Sequence, residues 1–236
     1  MNAEIRLPPR RIFLFLLACI GLLVVLHFVA VAAGLQVHDN PYAYRSIHLD
    51  SEVSVGTWFA QTLLFVVAIV LALIGVAARS AGERWWKHWL GLAAVAVYAS
   101  IDEGSALHEQ ATPVVRRVTG LSGGVFGPAW VLAGLAVGLV LVLVYRRFLV
   151  ELPSRTRNLF LLGVGVSVTG GFGAEIVNVV YAADRTTHSY GYQSLAALEE
   201  ALEKLGVAVV AYGLLDHMRR YGAPVTVRSA EARSDG

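Results

Sequence analysis

The sequence predicts an all-α fold: a polytopic bundle of six transmembrane helices with both termini in the cytoplasm. Three observations carry that expectation. Of the 236 residues, 56% are hydrophobic and 15% charged, with a mean hydropathy of +0.62, whereas soluble domains are nearer about a quarter charged. The apolar residues gather in stretches of about 20, the length that crosses about 30 Å of hydrocarbon as a helix. Basic residues crowd alternate connections between those stretches, the asymmetry that sets membrane orientation.

The first span is Ile12 to Gly34, preceded by Arg6, Arg10 and Arg11. Its 23 residues exceed the about 7–15 of a signal-peptide core, so it reads as a retained helix that also directs insertion. The second runs from about Thr57 to Ala78, the third from about Trp86 to Glu109, and the fourth from about Phe126 to Tyr145. The fifth is about Leu159 to Ala183 and the sixth about Leu195 to Asp216. Arg79, Arg84 and Lys87 fall between spans two and three. Arg146, Arg147, Arg155 and Arg157 join spans four and five, and Arg219 and Arg220 follow span six. The other side carries only Arg45, the pair Arg116–Arg117, and Arg185. Trp85, Trp86 and Trp89 read as an anchor at the cytoplasmic interface, and Trp58 as one at the outer interface. Residues 1–222 therefore form one transmembrane domain, and 223–236 a polar, disordered cytoplasmic tail.

Two connections stand out. Gln36 to Gly56 holds His38, Asp39, Arg45, His48, Asp50 and Glu52; it reads as a solvated loop or as a cover over the outer mouth. Thr119 to Gly127 contains four glycines and precedes Pro128, a flexible turn. Span five has its own cluster, Gly170-Gly171-Phe172-Gly173, just before Glu175. Together with Gly165 it would let a neighbouring backbone approach closely, make the helix locally irregular, or leave room for a ligand beside Glu175.

Ionisable groups at bilayer depth are costly and mark function by default. At about 100° per residue, Tyr98, Asp102, Ser105 and Glu109 share one stripe of span three. His108 flanks that stripe and Glu103 points away from it. Glu175 and Asn178 share a face of span five. Glu199 and Glu203 share a face of span six, where Lys204 can pair with Glu200 one turn away. With the orientation given above, all three acidic clusters fall at similar depth in the outer half of the membrane, so the helices are expected to converge there.

Like charges held together must share protons, pair with cations or bind a metal. Three readings follow. Asp102, His108, Glu109, Glu175, Glu199 and Glu203 could bind a divalent metal; carboxylates with a histidine suit iron, manganese or zinc. Such a site would make the protein a metal-dependent membrane enzyme acting on a lipid-soluble substrate. The same groups could share protons in a proton- or cation-coupled transporter. They could also form a structural polar cluster at a wet rim, with Glu199 and Glu200 stabilising a helix N-terminus. In the last case the chain is a non-catalytic subunit whose glycine-rich face packs on a membrane-protein partner or a second copy of itself. His27, in mid-span, reads as bonded to a neighbouring helix, or as a further ligand.

Some classes are excluded. Cys19 is the only cysteine, so an internal disulfide, a CxxC redox pair and a cysteine zinc site are ruled out. No basic groove with interleaved aromatics points to nucleic acid. Membrane lipid is the expected surrounding.

Ser100-Ile101-Asp102-Glu103-x4-His108-Glu109, with Glu199-Glu200-x2-Glu203 and the following Leu205-Gly206, resembles a family of uncharacterised bacterial multi-pass membrane proteins. That family has a Ser-x-Asp-Glu…His-Glu pattern and an acidic last helix. The resemblance covers most of the chain and implies a bacterial inner (cytoplasmic) membrane. A looser likeness is to membrane hydrolases of the alkaline ceramidase and adiponectin-receptor type. Ser105, Asp102 and His108 echo part of their zinc site, but the HxxxH of a late helix is absent.

Overall fold

A computed structural model of the chain describes residues 8–34, 41–120, 129–182 and 189–221, apart from the side chains of Pro41, Tyr44 and Glu175. His38, Asp39, Arg185 and His188, most of the Thr119–Gly127 turn and the expected tail lie outside the described residues. Among the described residues the regular elements are helices: α1 (Pro9–Ala32), α2 (Pro41–Ile47), α3 (Val55–Ser80), α4 (Trp86–Ser105) and α5 (Leu107–Thr119). They continue with α6 (Trp130–Glu151), α7 (Ser154–Val168), a π-helical turn (Thr169–Ala174), α8 (Glu175–Ala182) and α9 (Tyr190–Tyr221).

Four of these are long and apolar enough to cross a bilayer: α1, α3, α6, and the run from α7 through α8. Counting the bent pair α4–α5 makes five. The charges of α9 keep it out of that set. Large apolar side chains stand exposed along α1, α3 and α6, among them Phe15, Val29, Phe65, Val137 and Val142. A water-soluble monomer rarely shows so much contiguous apolar surface.

The core is formed by α3, α4 and α9, with α1 against them. Leu63, Val67, Leu71 and Ile74 of α3 meet Trp89, Ala93 and Ala96 of α4 and Ala208, Ala211 and Leu214 of α9, and Phe148 of α6 closes that end. Small residues set the spacing. A side chain at Gly75 would strike Leu90 at 2.7 Å, so α3 and α4 lie close enough for Ser100 to donate across to the Gln61 carbonyl at 2.9 Å. A Cβ on Gly163 would sit 2.6 Å from the Gly206 carbonyl, and one on Gly170 2.9 Å from that of Glu199. Backbone cannot yield there, so glycine is required along the α7–α9 seam. Gly165, expected to share this role, meets nothing within 4 Å; it lies on another side of the helix. The local irregularity expected at the glycine cluster is the π-helical turn.

Two features differ from the sequence reading. The third span is not one helix. It ends at Ser105, passes through left-handed Ala106 (φ 47°, ψ 41°), and α5 leaves at 88°. The stretch from residue 48 to 54 is also more than a solvated connection. Leu49 and His48 are buried, and Ser54 caps α3 by accepting from the Thr57 amide at 3.0 Å.

Two histidines fasten that stretch. The Leu49 N–H donates to His27 Nδ1 at 3.2 Å. Nδ1 is therefore the acceptor, and Nε2 carries the proton it donates to the Gln193 carbonyl at 3.1 Å. His48 Nδ1 lies 3.3 Å from Gln193 Oε1. His27 thus ties α1 to α9 and to the chain before α3, the interhelical bond expected of it.

Candidate functional site

The end of the bundle where α3 and α9 begin and α4 and α7 finish holds a cavity of about 610 Å³. Eight carboxylates line it. Asp50 and Glu52 come from the stretch before α3, and Asp102 and Glu103 from the end of α4. Glu109 comes from α5, and Glu199, Glu200 and Glu203 from α9. Among the described residues of the lining, Lys204 is the one lysine or arginine.

Of the sequence-predicted residues, Asp102, His108, Glu109, Glu199 and Glu203 therefore share one cavity. The side chain of Glu175 lies outside the described residues; its backbone opens α8 at the same end of the bundle. Glu103, expected to point away from the Asp102 stripe, also lines the cavity. The reason is the break at Ala106. With no helix continuing past Ser105, α4 ends as a rim, and both acids on its last turns reach the opening.

The bend also creates the tightest polar pair of the site. On a straight helix, positions 102 and 108 would be about 120° apart around the axis. Across the bend, Asp102 accepts from the His108 backbone N–H at 2.8 Å and holds the His108 ring Nδ1 at 2.9 Å. Asp102 thus caps α5 and fixes the imidazole, leaving Nε2 as the ring's proton acceptor. Trp130 packs edge-on against that ring at 4.5 Å, and Phe172 against Trp130 at 5.3 Å, so one wall is aromatic.

Lys204 of α9 also lines the cavity, only 2% exposed. Its ammonium is paired with Glu200 one turn earlier, and Glu103 and Glu203 are close enough to act on it. The i, i+4 pairing was readable in the sequence; the burial was not. A buried lysine stays charged only where carboxylates surround it. Glycine makes the room: a side chain at Gly171 would collide with the Glu203 carboxylate. Ser167 donates to the Glu203 carbonyl at 3.0 Å and fastens α7 behind the site. Asn178 of α8 donates its amide to Glu199 at 3.2 Å, from a position 3% exposed. At the rim, burial pushes the Glu52 carboxyl above the usual range; the charge of Glu109 adds to that and His108 opposes it.

Chemically this is a cavity lined mainly by carboxyl groups, with one lysine among its described lining residues. Among the described residues, no three His, Cys, Asp or Glu side chains are gathered tightly enough to hold one metal ion. The donors are spread around the cavity wall instead. Missed by the sequence reading were Glu103, the inward turn of Asp50 and Glu52, and the aromatic wall. Leu49, apolar between His48 and Asp50, was the available signal for the rim.

No curated protein and no solved structure matches the chain. A protein-family model does match, over residues 11–217. That span runs from the first turn of α1 to the last turns of α9 and includes every element that lines the cavity, so the chain belongs to the family described as Domain of unknown function (DUF8692).

Proposed function

We propose that this is an integral protein of the bacterial inner membrane, with six spans and cytoplasmic termini, whose outer-half cavity binds a cation and exchanges protons against it. The support for six spans is α9. It is long enough to cross at 32 residues, and its acids face the cavity rather than the apolar exterior. The arginines of the far end, Arg155, Arg219 and Arg220, support the orientation.

One observation carries the exchange reading: buried Lys204 among Glu103, Glu200 and Glu203, in a cavity where carboxylates far outnumber cations. An entering cation offers those acids a partner in place of protons, and loss of the cation returns the protons. Interrupted helices lining the site, at Ala106 and at the π turn, are the kind of elements that transporters place beside their substrates. Proteoliposomes containing a pH-sensitive dye test the reading. Sodium, manganese and methylammonium gradients are applied, with protein-free vesicles as baseline. At least one cation is expected to drive a proton signal that Glu203→Gln abolishes. No signal above baseline with any of them removes the exchange reading.

A second reading is favoured by the Asp102–His108 pair. A carboxylate holding Nδ1 leaves Nε2 as a base, the arrangement of a hydrolytic or oxidative membrane enzyme acting on a lipid-soluble substrate. A divalent metal at that site would need donors brought together from Asp102, His108, Glu109, Glu199 and Glu203, with Glu175. Elemental analysis of the purified protein against Glu109→Ala plus Glu175→Ala checks this. Equal and negligible metal in both removes it.

A further inference from the structure

An atom at the back of the cavity narrows the ligand. Asn178 lines the cavity from α8 and is 3% exposed. Its Nδ2 donates to the Glu199 carboxylate at 3.2 Å. Oδ1 is left as an acceptor. It has no hydrogen-bond partner among the described residues. A buried carbonyl oxygen without a donor is costly. Among the described residues no N–H or O–H donor stands at this point, beside a carboxylate.

The rest of the cavity says what carries that donor. A volume of about 610 Å³ falls among small-molecule sites, not bare-ion sites. One wall is Trp130 against Phe172, continued by Leu64 and Val168, surfaces of no use to a small hard ion. The carboxylates are too dispersed to close around a metal.

We propose that the cavity takes a primary or secondary ammonium ion with an apolar arm. Its N–H groups meet Glu199 and Asn178 Oδ1, and its apolar arm lies along Trp130 and Phe172, where it is held by aromatic contact. The proposal rests on the cation reading above and gives it a substrate class. No bond is made or broken; the ligand binds as the cation.

Calorimetry on the full chain in detergent tests it, with 2-phenylethylammonium as probe. Its neutral counterpart 2-phenylethanol and manganese chloride serve as controls. The ammonium is expected to bind at sub-millimolar concentration, and the alcohol at least about tenfold more weakly, the worth of a hydrogen-bonded charge. Asn178→Leu should weaken the ammonium about tenfold. Asn178→Asp keeps the shape and adds a charge, so it should bind the ammonium at least as well as the native chain. Trp130→Ala should weaken 2-phenylethylammonium while leaving methylammonium unchanged. Equal binding of ammonium and alcohol, or no ammonium binding by a folded protein, overturns the proposal. The two readings fail separately. Manganese- or sodium-driven proton flux without ammonium binding leaves cation exchange standing and removes the ammonium. Ammonium binding without flux keeps the site and removes transport.

Discussion

The two ends of the bundle solve the same electrostatic problem with opposite signs. At one end a buried carboxylate, Asp216, is held by three guanidiniums: Arg155 at 2.8 Å, Arg220 at 2.7 Å and Arg219 at 3.0 Å. At the other a buried ammonium, Lys204, sits among carboxylates. The difference lies in what surrounds each. The Asp216 arginines are about half exposed, and the next residue, His217, packs against Trp89, which meets Phe148. Charge there is neutralised and packed against. Around Lys204 the acids are in excess and the volume is open. A closed pair reads as fold; an over-acidic cavity reads as a place for something to enter.

The largest effect that would break this contrast is Lys204→Met. It removes the cation from a position 2% exposed and leaves Glu103, Glu200 and Glu203 facing one another. Breaking a buried pair by deleting one partner costs about 3–5 kcal/mol. Thermal unfolding in detergent should show a large fall, greater at alkaline than at acidic pH, because protonation relieves the repulsion. A pH-independent or negligible change would mean that Lys204 is not the counter-ion of the cavity.

Asp216→Asn should do less, about 1–2 kcal/mol. The arginines it releases can turn to water, and pairs with such partners are individually weak. The same thermal measurement checks it, and its pH dependence should be slight. If Asp216→Asn costs more than Lys204→Met, the comparison is inverted and the far end, not the cavity, is the strained one.

Much of this was legible in the residue pattern, because membrane helices announce themselves by length and polarity. The acids of α4, α5 and α9 were readable as one layer, since depth along an apolar segment is counted directly from the sequence. Which way a side chain faces is less legible. Helical spacing turns Glu103 away from Asp102 only if the helix runs on to Glu109. Nothing in Gly104-Ser105-Ala106-Leu107 forbids that: two of the four are good helix formers, and left-handed alanine has no local signature. The break depends on tertiary partners, Gln61 against Gly104 and Asp102 capping at His108. The rim before α3 was readable only as one of two alternatives, a solvated loop or a cover over the outer mouth, for a similar reason. Its burial depends on His27 and Gln193, distant in the chain.

The smallest effect tests that break directly. Ala106 is the one non-glycine residue with positive φ among the described residues. An L-residue in this region is strained by about 1–2 kcal/mol, which glycine does not feel. Glycine also has the more disordered unfolded chain, worth about 0.4–1 kcal/mol in the other direction. Ala106→Gly should therefore raise stability by no more than about 1.6 kcal/mol, with cation binding intact. Ala106→Val would be worse on both counts, since a branched side chain is a true outlier there. The pair of variants separates two accounts of the bend. If Ala106 is held left-handed by Asp102 and Gln61, glycine relaxes it and valine disturbs the cavity. If both substitutions cost the same, α4 and α5 are continuous in the membrane, and Asp102 and His108 then lie too far round the helix to meet.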